Sequence, residues 1–206
     1  MNKCVALMAL STILSATVSG CNLAEKPQMT NVDAQEGEVQ IKIKQAKEHV
    51  KALGAGLKTR LQQAIKSGGL TAGVEECQLA AGPIAESLSK NGWVIGRTSL
   101  KVRNPGNAPD DWEREQLAHF SSLLEKNKLT SEPLKRPLDT YQYDDESGEF
   151  RYMMAIEQGQ ICMACHGTNI APAVKDVIAK HYPDDQATGF EVGDLRGAFT
   201  LTYRPK

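Results

Sequence analysis

"LDTYQYDDESGEFRYMMAIE", residues 138–157, decides the class of fold. Apolar and aromatic residues recur in two short runs with strand character, and Glu146-Ser147-Gly148 between them has turn chemistry. The stretch reads as two antiparallel strands joined by a tight turn. Downstream, "GDLRGAFTLTYRP" (193–205) closes the chain as another strand, and upstream "WVIGRTSLKV" (93–102) has the same character. The turn-rich "RNPGNAPDD" (103–111) leads into the amphipathic helix "WEREQLAHFSSLLEKNK" (112–128), and "APAVKDVIAKHY" (171–182) is a short helix. Helices come first and strands are scattered later, mostly on short turns, which points to α+β with an antiparallel sheet.

The first half of the chain is helical. From Glu38, the residues Val39, Ile43, Ala46, Val50, Leu53, Leu57, Leu61 and Ile65 fall at three- and four-residue steps on one face of a long helix. Gly68-Gly69 stops it. This face either packs on the body of the protein or forms the seam of a coiled-coil homodimer. A second helix follows in "LTAGVEECQLAAGPIAESLSKNG" (70–92), where Val74, Cys77, Ala81, Ile84 and Leu88 share a face, so that Cys77 is expected to point inward. Pro83 is expected to bend this helix one turn beyond Cys77.

The N-terminus sets the compartment. "MNKCVALMALSTILSATVSGCN" opens with Lys3 and continues in an apolar run too short to span a bilayer as a mature helix. Val18-Ser19-Gly20-Cys21 resembles a bacterial lipobox, which implies cleavage after residue 20, lipidation of Cys21 and anchoring through acyl chains. The expected organisation is a lipoprotein signal peptide over 1–20, a lipidated tether over 21–37 and a single domain over 38–206. The protein is expected to be exported and held on the periplasm-facing side of a bacterial membrane. Roughly 185 residues remain after cleavage, enough for one domain with a core. The formal net charge of −1, with charges of both signs well mixed, gives no reason to expect a nucleic-acid partner.

Of the five cysteines, cleavage removes Cys4 and lipid takes Cys21. Cys77, Cys162 and Cys165 remain, an odd number for an oxidising compartment. Two of them lie in "GQICMACHGTN" (159–169). C-x-x-C-H is the attachment signature for c-type haem. A single turn of chain between the thiols lets Cys162 and Cys165 reach two vinyl groups on one porphyrin edge. The next residue, His166, is then placed under the iron as an axial ligand, and Gly167 lets the chain turn away. A redox dithiol would want a thioredoxin-like strand–helix unit, and zinc would want further ligands. One motif implies one covalent haem c.

No methionine follows Met163, so the methionine ligand of common electron-carrier cytochromes has no source downstream. Strands on both sides of the motif argue against a four-helix-bundle cytochrome. Cys77, His49, His119, His181, Met153 and Met154 are the candidates for the second iron face. Cys77 on the residues alone is either a ligand or a packed thiol. Arg97, Lys101 and Arg103 either contact haem propionates or are solvated charges, and Arg196 is a further propionate candidate.

The stretches "CQLAAGPIAESLSK", "IGRTSLKVRNPGNAPDDWE", "RPLDTY", "ICMACHG" and "YPDDQATGFEVGDLRGAFT" resemble, in that order, a family of exported mono-haem c-type proteins with a PAS-like fold. The family was long treated as a domain of unknown function and occurs alone or as the sensory part of receptors. The resemblance runs from about Ala72 to Tyr203. It implies a PAS-like antiparallel sheet flanked by helices and a haem iron held between His166 and Cys77. A thiolate ligand favours ferric iron and a low potential. Its release on reduction would open the iron to NO or CO, a two-state element suited to sensing. The functional expectation is therefore a redox or diatomic-gas sensing module, with an electron-transfer cytochrome as the alternative. No cluster of His, Glu and Arg identifies peroxidase or nitrite chemistry, so no enzymatic activity is expected. The redox or signalling partner has no signature in the sequence.

Overall fold

The computed structural model describes residues 31–130, 134 and 136–206. The stretch read as a signal peptide and the expected lipidation site, Cys21, lie outside the described residues. Among those described, no helix is long and apolar enough to cross a membrane.

Helix α1 (Asn31–Leu88) begins earlier than the apolar periodicity does and is broken at Gly69. There φ is 77° and ψ is −168°, values outside the helical basin that glycine adopts without a steric penalty. The break makes a hairpin. An ideal Cβ on Gly56 would lie 3.3 Å from the Ile84 side chain, and one on Gly73 would lie 2.8 Å from Ile65. Gly56 and Ile84 would stand about 42 Å apart along a straight helix. Arg60 and Glu76 pair across the two arms at 2.5 Å. The arm 31–68 and the arm 70–88 therefore run antiparallel. Pro83 lies within the helical run, where Gly69 is the residue that leaves helical geometry.

Among the described residues, four antiparallel strands form one sheet in the order β1-β4-β3-β2: β1 (Trp93–Thr98), β2 (Asp139–Tyr143), β3 (Phe150–Glu157) and β4 (Leu195–Tyr203). The 138–157 stretch is the β2–β3 hairpin, with Tyr141 opposite Tyr152. Asp144 Oδ1 accepts the backbone N–H groups of Glu146 and Ser147 in its turn, and Gly148 takes φ 69°. Strand β1 stops at Thr98, so Lys101 and Arg103 lie in the following loop.

The alternation of side chains assigns one helix system to each face of the sheet. Trp93, Ile95, Phe150, Tyr152 and Leu201 pack against Val39, Ala46, Val50 and Leu53 of α1. The 39–57 part of the long apolar stripe is thus packed against the sheet, while Leu61 and Ile65 face the opposite arm at Gly73. Met153 and Ala198 face the other way, onto Leu117, Phe120 and Leu124 of α2 (Asp111–Thr130). Burial of a side chain such as Leu53 contributes roughly 1.5–3 kcal/mol. Helix α2 starts on a reciprocal cap: Asp110 Oδ1 accepts Glu113 N–H at 2.9 Å and Glu113 Oε2 accepts Asp110 N–H at 3.1 Å. Thr200 Oγ1 donates to Glu113 at 2.5 Å, which ties the cap to β4. A third cluster joins the arm 70–88 to α4 (Pro172–His181) through Val74, Ile170, Val174 and Ile178.

The β3–β4 ladder contains one irregularity that matters for the site. Ile156 pairs with Gly197 and Glu157 pairs with Leu195. Arg196 is the extra residue of a β-bulge, which re-aims its side chain.

Candidate functional site

The C-x-x-C-H loop follows β3. Gln158, 1% exposed, anchors its start by donating its backbone N–H to Asp194 O and accepting from Gly193 N–H. A 3-10 turn (Gln160–Cys162) and a one-turn helix, α3 (Met163–His166), then carry both thiols and the imidazole. Gly167 closes that turn with its N–H on Met163 O.

Two distant segments hold this loop in place. Gly189 N–H donates to Gly167 O and Phe190 N–H to His166 O, while Gln186 N–H reaches back to Val102 O. Arg103 is the hub. Its Nη2 donates to Cys165 O at 2.6 Å and to Ala187 O at 3.3 Å. Its Nε and Nη2 also engage both Asp185 oxygens, at 3.1 and 3.0 Å. Asp185 and Ala187 have no motif of their own and were missed from sequence. Only their position beside this loop reveals their part.

His166 Nδ1 lies 2.7 Å from Ala187 O. A carbonyl can only accept, so the proton sits on Nδ1 and the Nε2 lone pair is left for another partner. Nε2 makes no hydrogen bond among the described residues. Burial, with the nearby charges of Arg196, Arg103 and Arg97, pushes the imidazole pKa down to about 2 against the pull of the Ala187 hydrogen bond. The ring is neutral and fit to ligate a metal.

Cys77 departs from the inward position expected for it: it is exposed. Toward one end of its arm Val74 packs on α4, while Ile84, Ala85 and Leu88 pack on the sheet. Cys77 lies between these contacts along the arm and belongs to neither cluster. The surroundings still desolvate the thiol enough to raise its pKa, although Arg97, Arg103 and Arg196 are close enough to lower it. Cys165 packs against the 70–88 arm and α4. Its thiol is also raised by burial, with Arg103 opposing and Cys77 and Cys162 adding to the rise. The three thiols and His166 thus share one electrostatic neighbourhood.

The cations expected on this side divide into two kinds. Arg103 is committed to Asp185 and two carbonyls, and Lys101 Nζ donates to Thr188 O at 2.8 Å beside the Phe190 ring. Arg97 and Arg196 are half-buried and, among the described residues, have no ion pair with a carboxylate. Burial lowers the Arg97 pKa, with the Cys77 and Tyr182 neighbours opposing. Burial and the like charges of Arg103 and Arg97 push Arg196 down to about 10. Desolvated guanidiniums without carboxylates fit an anionic group held beside the loop.

The other candidate ligands lie elsewhere. His49 lies tilted against Trp93 with ring centroids 5.2 Å apart, Met153 is buried beneath α2, and Met154 packs toward α1. His119 neighbours Phe120 on α2. His181 ends α4, with Nε2 3.8 Å from Glu75.

A family model described as Tll0287-like matches residues 26–203. The chain belongs to the Tll0287-like family. A solved structure titled as that of the cyanobacterial heme-protein Tll0287 is similar at 28% identity. The match covers 76% of this chain and 95% of the other, with a TM-score of 0.49. No curated protein matches the sequence. The family match takes in every element of the site: the arm bearing Cys77, the loop after β1, the C-x-x-C-H turn and the bulged β4.

Proposed function

We propose that this Tll0287-like protein is a membrane-anchored c-type haem protein with a PAS-like domain, acting as a redox or diatomic-gas sensing module. Cys162 and Cys165 form the thioethers to a single haem c, and His166 Nε2 and Cys77 Sγ are the axial ligands. Arg97 and Arg196 take the propionates, while Arg103 and Lys101 brace the loops. Bound haem would supply one-electron chemistry and a site for NO or CO.

The observation that carries this reading is the combination of a neutral His166 with a free Nε2 and two half-buried guanidiniums lacking carboxylates, Arg97 and Arg196, in its electrostatic neighbourhood. The family's namesake bears the name of a haem protein, which agrees. The PAS-like reading draws support from the pairing of the first strand with the last in an antiparallel sheet. Cys77 and His166 come from separate elements, the 70–88 arm and α3. The sulfur can therefore leave without disturbing the loop that bears the histidine, which favours sensing.

Electron transfer is the second reading, and one feature favours it. Ile161 is 57% exposed beside Cys162 and Leu79 is 66% exposed near Cys77, so apolar side chains are available where a redox partner would approach. Fast electron exchange with both ligands retained supports the carrier. CO or NO binding to the reduced protein with loss of the sulfur supports the sensor.

The deciding experiment uses the mature protein made in a host that assembles c-type cytochromes. Optical and electron-paramagnetic spectra of wild type should show a low-spin thiolate signature that Cys77→Ala abolishes. Identical spectra remove Cys77 as a ligand, and a colourless protein of unmodified polypeptide mass removes haem.

A further inference from the structure

Resting on the haem reading above, we infer that the Arg103–Asp185 pair is a positioning element that sets the balance between ferric and ferrous iron through His166. The Ala187 carbonyl accepts two donors, the His166 Nδ1–H at 2.7 Å and the Arg103 Nη2–H at 3.3 Å. The same Nη2 donates to Cys165 O at 2.6 Å. One guanidinium therefore touches the backbone of an attachment residue and the acceptor of the axial ligand.

A carbonyl that already accepts from a cation has less electron density to draw on the imidazole proton. His166 then keeps that proton fully, has less imidazolate character and donates less charge toward iron. Arg103 favours the ferrous state, and the Asp185 carboxylate, held in a two-bond fork with Arg103 at 3.1 and 3.0 Å, opposes it. Solvent does little to screen either charge, since the two side chains are 11% and 8% exposed. Asp185 also accepts the Ala187 N–H at 2.9 Å, so it helps to hold in place the residue that carries the shared carbonyl. The balance of the pair is thus read out by the iron.

Opposite signs make the test. Optical redox titration of the haem-loaded, full mature protein gives the midpoint potential of each variant. Arg103→Gln should favour ferric iron by about tenfold, the order expected for an uncompensated charge about 12 Å away at an effective dielectric constant of about 20. For a one-electron couple that is a fall of about 59 mV. Asp185→Asn should move the potential the other way by a comparable factor. Arg103→Lys, which keeps the charge, should stay within about threefold of wild type. A role confined to stabilising the loop predicts lower melting temperatures with no such pairing of signs. If Arg103→Gln fails to load haem, the upward shift in Asp185→Asn decides by itself. Variants that load haem and share the wild-type potential, or an Asp185→Asn potential that falls, overturn the inference while leaving the haem assignment intact. A colourless wild type fails the haem assignment instead.

Discussion

Replacing Gly197 with alanine tests the link between the β-bulge and the site. Gly197 has φ 154°, a backbone region that residues with a Cβ avoid, at a cost of about 1–3 kcal/mol. An added Cβ would lie 2.5 Å from Thr98 O and 3.1 Å from Ser99 Cβ. The oxygen belongs to the backbone of a paired strand and cannot swing aside, so overpacking adds about 1–3 kcal/mol. The expected loss is about 3 kcal/mol. Gly96, on the neighbouring strand β1, is the control: its added Cβ would meet only Thr200 Cγ2 at 3.8 Å. Gly96→Ala should change stability by at most about 1 kcal/mol, toward greater stability through the unfolded chain. Urea unfolding of the haem-loaded protein, followed by far-ultraviolet circular dichroism, measures both. With a slope of about 2 kcal/mol per molar, Gly197→Ala lowers the midpoint by about 1.5 M and leaves the slope unchanged. Equal midpoints for the two variants would refute the bulge argument, and with it the claim that the bulge aims Arg196.

Two further perturbations probe the scaffold. Leu53 is 1% exposed between α1 and the sheet, whereas Leu129 is 86% exposed. Leu53→Ala should cost about 2–5 kcal/mol by urea unfolding and Leu129→Ala no more than about 0.5 kcal/mol. At the α2 cap, burial would raise the Asp110 carboxyl, but the Glu113 backbone N–H and Arg151 outweigh it and hold the carboxyl below its ordinary range. A depressed folded pKa means that the stabilisation is present above the unfolded value of 3.8 and is lost as the pH falls through the folded value. Asp110→Asn keeps a capping side chain and removes the charge. Its urea midpoint should therefore fall less than that of wild type as the pH is lowered from 5 toward 2.

How far the fold was legible follows from where its information lies. The β2–β3 hairpin was readable because strand periodicity and turn chemistry are local, and Gly148 supplies the φ its turn requires. The break at Gly68-Gly69 was readable for the same reason. The hairpin made by that break was not, because it depends on Gly56 and Gly73 meeting residues of the opposite arm. The helix face holding Val74, Cys77 and Ile84 was misread as uniformly inward. Its two ends pack on different partners, and nothing in the sequence tells a helical stripe how many partners it has. Pro83 was read as a bend and not as a stop, and the helical run does continue through it.

At the site, Cys162, Cys165 and His166 were legible as one group because they lie within five consecutive residues. Arg97, Lys101 and Arg103 looked equivalent there. Their roles separate only when Asp185 and the carbonyls of Cys165, Ala187 and Thr188 arrive from other parts of the chain. By itself, the sequence determined the class of fold, the hairpin and the spacing of thiols and imidazole, all set by chemistry within a few residues. Tertiary structure alone decided which guanidiniums are already bound, which imidazole nitrogen is free and how the bulge places Arg196. Those properties belong to pairs of groups that are distant along the chain and meet only when it folds.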